Sequence, residues 1–546
     1  MTELNATAHQ ATAIALVEAA AGIIDTASKT LATRSAENGR ISVDLLDRQQ
    51  IAAYDLAHAA SAVAGSQVML AYALHGEFEA RLSFAYIADV IADLASRMVG
   101  RQDSWGVDAV VLAPFTEFVS LFRSPEFLEL LADDVMKKGT GPAHLDDEFD
   151  LVRDTFHRFA QDKIRPVAEH IHRNNEDIPE SILQGMAEIG GFGLSVPEEY
   201  GGFAAGGESD YLAMCVATEE LSWGSLGAGG ALITRPEILT RAIVRGGTEE
   251  QKHGWLPQIA SGERIVGVMV TEPDFGSDVA GVNVMATPDG DGWAINGVKT
   301  WCTFAGRADT LMLLARTDPD RSKGHRGLSV FVVEKPPAPG HSFAFEDGLG
   351  GKMEGRAIDT LGYRGMHSYE VAFDNWHVPA DALIGGESGL GKGFYFQMEG
   401  FENGRLQTAA RAVGLMQAAF EAGLAYSLDR RVFGKPVFDY QLTKAKLARM
   451  AALICAGRQF SYEVSRMMAR GEGALEASMV KAYVCRAAEW VTREAMQLHG
   501  GMGYAEEYAV SRYFVDARVL SIFEGADETL CLRVIARRLT EQALEG

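Results

Sequence analysis

The sequence predicts a mainly α-helical chain interrupted by one central β domain. Two observations carry that prediction. Apolar residues recur with helical spacing up to about residue 265 and again from about 390 to the end. Between Ile265 and about residue 380 the pattern changes to short apolar or alternating runs (IVGVMV, GWAING, TLMLLART, LSVFVVEK, YEVAFDNWHVP) with Gly, Asp and Pro between them. At 546 residues the chain exceeds what one hydrophobic core supports and has room for three or four domains.

Residues 1–138 form a front block that reads as four or five amphipathic helices packed as a bundle. Ala, Leu and Glu are abundant, Pro114 and Pro125 are the only prolines before Pro142, and Gly39, Gly76 and Gly100 fall near helix ends. The Gly-Thr-Gly-Pro at 139–142 reads as a linker. A second helical segment spans 147–265; Gly190 is a stop signal, and the glycine-rich stretch 190–202 lacks a strand-loop-helix context, so it reads as a connection. The β domain occupies 266–380, with GDGW as a hairpin turn. A C-terminal helical bundle fills 388–546, beginning with one long helix from Phe394 to Arg431. Gln50, Leu56, Ala57 and Ala60 of the front block repeat the spacing of Gln441, Leu447, Ala448 and Ala451 in that bundle.

The net charge of −24 argues against nucleic acid, whose phosphates demand a basic footprint; an anionic ligand would need a local basic pocket. No apolar run is expected to reach the length of a membrane span, and MTELNATAHQ has neither a secretory nor a transit pattern. Cys215, Cys302, Cys455, Cys485 and Cys531 are scattered without metal spacing, so no metal is expected and the thiols read as reduced, in a cytoplasmic setting.

Two stretches of the β domain suit a planar polar ligand. VTEPDFGSDVAG (270–281) and WCTFAGRAD (301–309) offer backbone N–H groups, hydroxyls and the face of Trp301. With them stand QLHGGMGYAEEYAVSRYFVD (497–516), RRVFGKPVFDYQ (430–441) and IFEGADETL (522–530). In these residues, in this order, the chain resembles the acyl-CoA dehydrogenase family of FAD flavoproteins, over about 147–546. The resemblance implies a helical domain, a β domain and a C-terminal four-helix bundle, here with an N-terminal extension. It implies FAD, with Val270, Thr271, Gly276, Ser277, Trp301 and Thr303 at the flavin and ribityl chain. Arg430, Phe433, Gln441, Gln497, Gly500 and Gly501 match positions gripping the diphosphate and adenosine across a subunit contact.

The resemblance also makes Glu524 the catalytic base. Alone, a Glu in Leu-Ser-Ile-Phe-Glu-Gly reads as an acid at the tip of an ordered segment, which is more often a solvated surface residue than a base. Some branches of the family carry the base on the long helix, directly before an Arg; here that position is Gly404. Ser277, Glu402, Arg405 and Gly525 match substrate positions, whereas Ala526 and Glu528 depart from the usual Thr-x-Gln and carry no expected flavin contact. The front block resembles the extension of family members that oxidise (2S)-methylsuccinyl-CoA, so the expected reaction is α,β-dehydrogenation to mesaconyl-CoA (2-methylfumaryl-CoA). A short or branched acyl-CoA (isobutyryl- or 2-methylbutyryl-) is the alternative. A substrate carboxylate needs a cation, and Arg235 or Arg364 is expected to supply it. An electron-transfer flavoprotein is the expected acceptor and a homodimer the expected assembly. A DNA-associated flavoprotein of the same fold would need a basic surface; an acyl-CoA oxidase would differ in oxygen access to the flavin.

Overall fold

The computed structural model describes residues 6–545. In chain order its main helices and strands are α1 (Ala6–Ser35), α2 (Gln50–Tyr72), α3 (Glu77–Met98), α4 (Pro125–Lys138), α5 (Asp147–Phe159), α6 (Arg165–Asn174), α7 (Glu180–Glu188), α8 (Glu208–Gly224), α9 (Thr234–Gly246), α10 (Glu249–Ala260), β1 (Val266–Met269), β2 (Met285–Asp289), β3 (Gly292–Thr303), β4 (Thr310–Arg316), β5 (Leu328–Glu334), β6 (Ser342–Glu346), β7 (Lys352–Ala357), β8 (Ser368–Pro379), α11 (Gly393–Asp429), α12 (Gln441–Ala469), α13 (Ala474–Leu498), α14 (Ala509–Leu520) and α15 (Ala536–Glu545). They form two compact units: one joins the front block through Asp146 to everything from Thr408 onward, and the other is Asp147–Gln407.

In the first unit, front block and C-terminal bundle share a core. Helix α2 packs on α3, α12 and α13, α4 packs on α12, and α1 packs on α2 and α15. The small residues of α2 allow this: Ala52, Ala53, Ala57, Ala59, Ala60 and Ala62 are buried, and a Cβ on Gly65 would meet the Tyr86 hydroxyl at 2.6 Å. The internal repeat has a structural counterpart. Gln50 and Gln441 each open a helix, and Leu56, Ala57, Leu447 and Ala448 are all wholly buried. Polar ties add to the core: Lys444 with Asp133 at 2.6 Å, Arg449 with Asp89 at 2.6 Å and Arg533 with Asp47 at 2.9 Å.

The second unit is helices α5–α10 and the sheet, ordered β1-β4-β2-β3-β8-β7-β6 with β5 on β4. The long strands β3 and β8 run antiparallel, with a register shift between Phe373 and Trp376. The β2–β3 hairpin turns where GDGW predicted it, Asp289 opposite Gly292. Strands β6 and β7 were not expected; only alternate residues are buried in them.

The expectation that no apolar run reaches a span's length is corrected at α1. Within it His9–Ser35 is 27 residues long with a mean hydropathy of 1.4 over its most apolar window, because alanine scores as apolar. One stripe of that helix, including Ala13, Val17, Ala20, Ala27 and Leu31, is buried in the bundle.

Candidate active site

In the second unit, the two predicted flavin stretches are joined by backbone. Thr300 N–H donates to the Thr271 carbonyl at 2.9 Å, so the end of β3 lies against the segment leaving β1. A pair the sequence reading missed also joins them. Lys299 Nζ donates to Glu272 Oε1 at 2.8 Å and to the Val270 carbonyl at 2.8 Å, with both side chains buried. Glu272 also accepts from the N–H groups of Asn283 (2.6 Å) and Val284 (2.8 Å). Burial pulls the Lys299 ammonium below its ordinary range, against the attraction of Glu272.

At the end of the same strand Trp301 is 54% exposed, while Cys302 and Thr303, which follow it, are buried. Its φ of +57° is a left-handed conformation rare for a bulky residue. Thr303 Oγ1 and Ser368 Oγ are 3.1 Å apart, and Phe304, at φ +68°, donates its N–H to the His367 carbonyl at 2.8 Å. Gly276 and Ser277 are exposed, with open space around Gly276. An exposed indole face beside hydroxyls and glycine peptides fits a planar, hydrogen-bonding ring.

In the first unit, Glu524 lies in the loop 521–526 between α14 and the turn at 527–529. Its φ is +53°, and Gly525 follows at +95°. A Cβ on Gly525 would sit 2.8 Å from Leu530 Cδ2, so both conformation and space require glycine there. The Gly525 carbonyl accepts from the buried Lys481 Nζ at 2.6 Å. A half-buried acid in a strained conformation, with neighbours fixing the backbone around it, is a common signature of functional sites. Arg411, also missed in the sequence, is wholly buried with its guanidinium centre 5.2 Å from the Phe523 ring, one residue before Glu524. Its all-apolar setting in Ala-Ala-Arg-Ala-Val was the available signal.

The residues expected on the adenosine side lie at the surface of this unit. Arg430, Gln497, Gly500 and Gly501 are exposed, and Phe433, at φ +46° on the 431–436 hairpin, is 98% exposed. Gln441 donates to Glu129 of α4 at 2.7 Å, which ties that position to the front block.

The substrate candidates of the second unit divide. Arg364 is committed to main chain, donating to the carbonyls of Thr360 (3.0 Å) and His172 (2.8 Å). Arg235 is 6% exposed in the first turn of α9, where a buried polar seam meets α11. In that seam Thr234 Oγ1 donates to Gln407 Oε1 at 2.6 Å, Asn403 donates to Glu237, and Arg241 donates to Glu237 at 2.7 Å. Gln397 is wholly buried on α11, and both its amide atoms lack a hydrogen-bond partner among the described residues, as do Gln407 Nε2 and Thr240 Oγ1. Buried polar atoms in this state mark a place where a polar ligand or water completes the bonding. Glu402 and Arg405 are half-buried on the same helix, and Gly404 is buried between them.

The second unit thus presents an exposed aromatic face near hydroxyls, and the first carries a half-buried acid on a left-handed backbone. Three family models match in order: the acyl-CoA dehydrogenase N-terminal domain at 146–263, the middle domain at 267–376 and the C-terminal domain at 391–540. The chain is 38% identical to (2S)-methylsuccinyl-CoA dehydrogenase of Cereibacter sphaeroides over 538 residues, 95% of this chain and 96% of that protein. The structure of an acyl-CoA dehydrogenase from Geobacillus kaustophilus matches with a TM-score of 0.65 and 34% identity, over 72% of this chain and 99% of that one. A glutaryl-CoA dehydrogenase from Mycobacterium smegmatis in complex with FADH2 matches with a TM-score of 0.63 and 28% identity, over 76% and 98%. The chain belongs to the acyl-CoA dehydrogenase family. It is an oxidoreductase acting on an acyl-CoA, and its cofactor is FAD.

Proposed function

We propose that this enzyme oxidises (2S)-methylsuccinyl-CoA to mesaconyl-CoA, with Glu524 taking the α-proton. The observation that carries the substrate is length. Similarity to the methylsuccinyl-CoA dehydrogenase runs through the front block, whereas the Geobacillus acyl-CoA dehydrogenase corresponds to only 72% of the chain.

The α-proton of a thioester is too weakly acidic for a carboxylate in water, so the site must stabilise the charge that develops on the thioester oxygen. The N–H of Glu524 itself is the donor for that oxygen, and the left-handed φ at this residue sets the direction of its peptide groups. The carboxylate is delivered from the same residue, so the proton acceptor and one donor are fixed to each other through one backbone unit. FAD, when bound, supplies the acceptor for the β-hydride. Val270, Thr271, Gly276, Ser277, Trp301 and Thr303 hold its ring system, and Arg430, Phe433, Gln441, Gln497, Gly500 and Gly501 its adenosine half, the latter across a dimer contact. The exposure of Phe433 on a lone chain supports such a contact. Glu402 and Arg405 serve the CoA portion. The distal carboxylate is held by Arg235, and the incompletely bonded amides of the seam beside it support a polar acyl end. Arg364, which donates to the carbonyls of Thr360 and His172, is the second candidate. Electrons leave to an electron-transfer flavoprotein, in the cytoplasm.

Anaerobic mixing with racemic methylsuccinyl-CoA tests the reading. Bleaching of the flavin at least tenfold faster than with isobutyryl-, 2-methylbutyryl- or butyryl-CoA is the expected result. Faster bleaching by any of those three would replace the substrate assignment with a short or branched acyl-CoA.

A further inference from the structure

The loop that carries Glu524 is held at both ends. On one side Lys481 of α13 grips the Gly525 carbonyl. On the other, three residues past Glu524, Asp527 is buried, and the two partners of its Oδ2 come from the front block. Tyr54 Oη donates to Asp527 Oδ2 at 2.5 Å, and His58 Nε2 meets the same oxygen at 3.1 Å. Tyr54 and His58 lie one turn apart on α2, their rings edge-to-face with centroids 4.8 Å apart. Cys531 Sγ is 3.4 Å from His58 Nε2 and 3.9 Å from Asp527 Oδ1. The Asp527 N–H donates back to the Ser521 carbonyl at 3.1 Å, closing the base of the loop.

We infer that Tyr54 and His58 are positioning residues for the α-proton abstraction, acting through Asp527; this rests on Glu524 being the base. The physical argument concerns strain. A glutamate at φ +53° is held in a backbone conformation that is unfavourable for a residue with a side chain, and it persists only when the surrounding structure over-determines it. The loop retains that conformation only while its flanks are fixed. A carboxylate buried at Asp527 is stable only while hydrogen-bonded, so the position of Asp527 is dictated by Tyr54 and His58. Removing those donors frees Asp527 to turn towards water and lets Glu524 relax. Displacement of the base by about 1 Å is enough to cost up to 10²-fold in rate. The front block is then part of the catalytic apparatus without touching the substrate.

The test uses the full-length FAD-loaded enzyme and whichever acyl-CoA of the panel bleaches the flavin fastest, with and without deuterium at the α-carbon. Tyr54→Phe, the double variant Tyr54→Phe/His58→Leu, Asp527→Asn and Glu524→Gln are compared by stopped flow. The double variant and Asp527→Asn are expected to lower the limiting rate of flavin reduction at least tenfold. The α-deuterium isotope effect should rise, while FAD content and substrate Kd stay within twofold. Tyr54→Phe alone is expected to lose about threefold, and it decides the matter if the double variant does not fold. A wild-type rate in the double variant (or in Tyr54→Phe, if that one decides), or a loss that follows FAD release with an unchanged isotope effect, overturns the inference. Glu524→Gln separates the two levels. If it is inert while the double variant reduces flavin normally, only the positioning role fails; if it bleaches at the wild-type rate, the base assignment fails as well.

Discussion

Lys299 Nζ and Glu272 Oε1 meet at 2.8 Å, with the lysine wholly buried, two residues before Trp301 on the same strand. Removing one member leaves the other as an uncompensated buried charge, a loss of about 3–5 kcal/mol. Lys299→Met should therefore lower stability by that amount in urea unfolding and reduce the FAD retained through purification, read at the flavin absorbance. Replacing both residues with methionine should not restore stability, because the N–H groups of Asn283 and Val284 would still lose the Glu272 carboxylate.

Glu524 is held at a φ that glycine adopts without cost. Glu524→Gly is expected to stabilise the protein by up to about 1 kcal/mol by relieving that strain, while flavin reduction falls by ~10²–10⁴-fold. Thermal melting of FAD-loaded protein together with stopped-flow reduction checks both halves. Gly525→Ala should move stability the other way, since it meets φ +95° and Leu530 together.

Arg235→Ala should raise KM for methylsuccinyl-CoA by roughly 10–100-fold, the worth of a charge-assisted hydrogen-bond pair. KM for butyryl- or isobutyryl-CoA should change much less. Equal increases for both kinds of substrate would remove Arg235 from the carboxylate site.

Burial holds the His58 imidazole below its ordinary range, outweighing the pull of Asp527. The hydrogen bonds from His58 and Tyr54 hold the Asp527 carboxyl low, against its own burial. A folded-state His58 pKa below the unfolded value means that protons bind the unfolded chain more readily. Its contribution to stability is complete above about 6.5 and is lost as pH falls through the folded value. Asp527 acts in the same direction at lower pH, losing its contribution as pH falls from about 3.9 through its depressed folded value. Melting temperature should fall between pH 7.5 and pH 5 in the wild type, and less steeply in His58→Gln.

Light scattering should give the mass of two chains. A mass near four would replace the proposed dimer with a tetramer.

Much of the architecture was legible in the sequence because periodicity reports burial directly. The long helix read from Phe394 to Arg431 is present as Gly393–Asp429, and the β2–β3 hairpin turns at GDGW. Strands β6 and β7 escaped because SFAFE and KMEGRA alternate only weakly; in KMEGRA the position that faces Phe343 is Gly355, where no side chain fits. Glu524 was legible as a candidate, but the element before it is a helix end, and its left-handed backbone leaves no mark in residue type. The Glu272–Lys299 pair was not legible because it depends on the contact between Thr300 and Thr271, a matter of three-dimensional register. Arg411 carried a signal in its apolar setting, Ala-Ala-Arg-Ala-Val, but that setting does not say what the buried guanidinium meets.

The Tyr54–Asp527 bond also bears on how this chain can change over evolutionary time. While position 527 carries a carboxylate in the bundle core, a descendant that lost the front block would inherit a stranded charge next to its base loop. A descendant that first replaced the aspartate would leave Tyr54 and His58 with nothing to hold. Residue 527 and residues 54 and 58 are therefore expected to covary among chains of this length, and shorter relatives to carry a different residue at the position of Asp527.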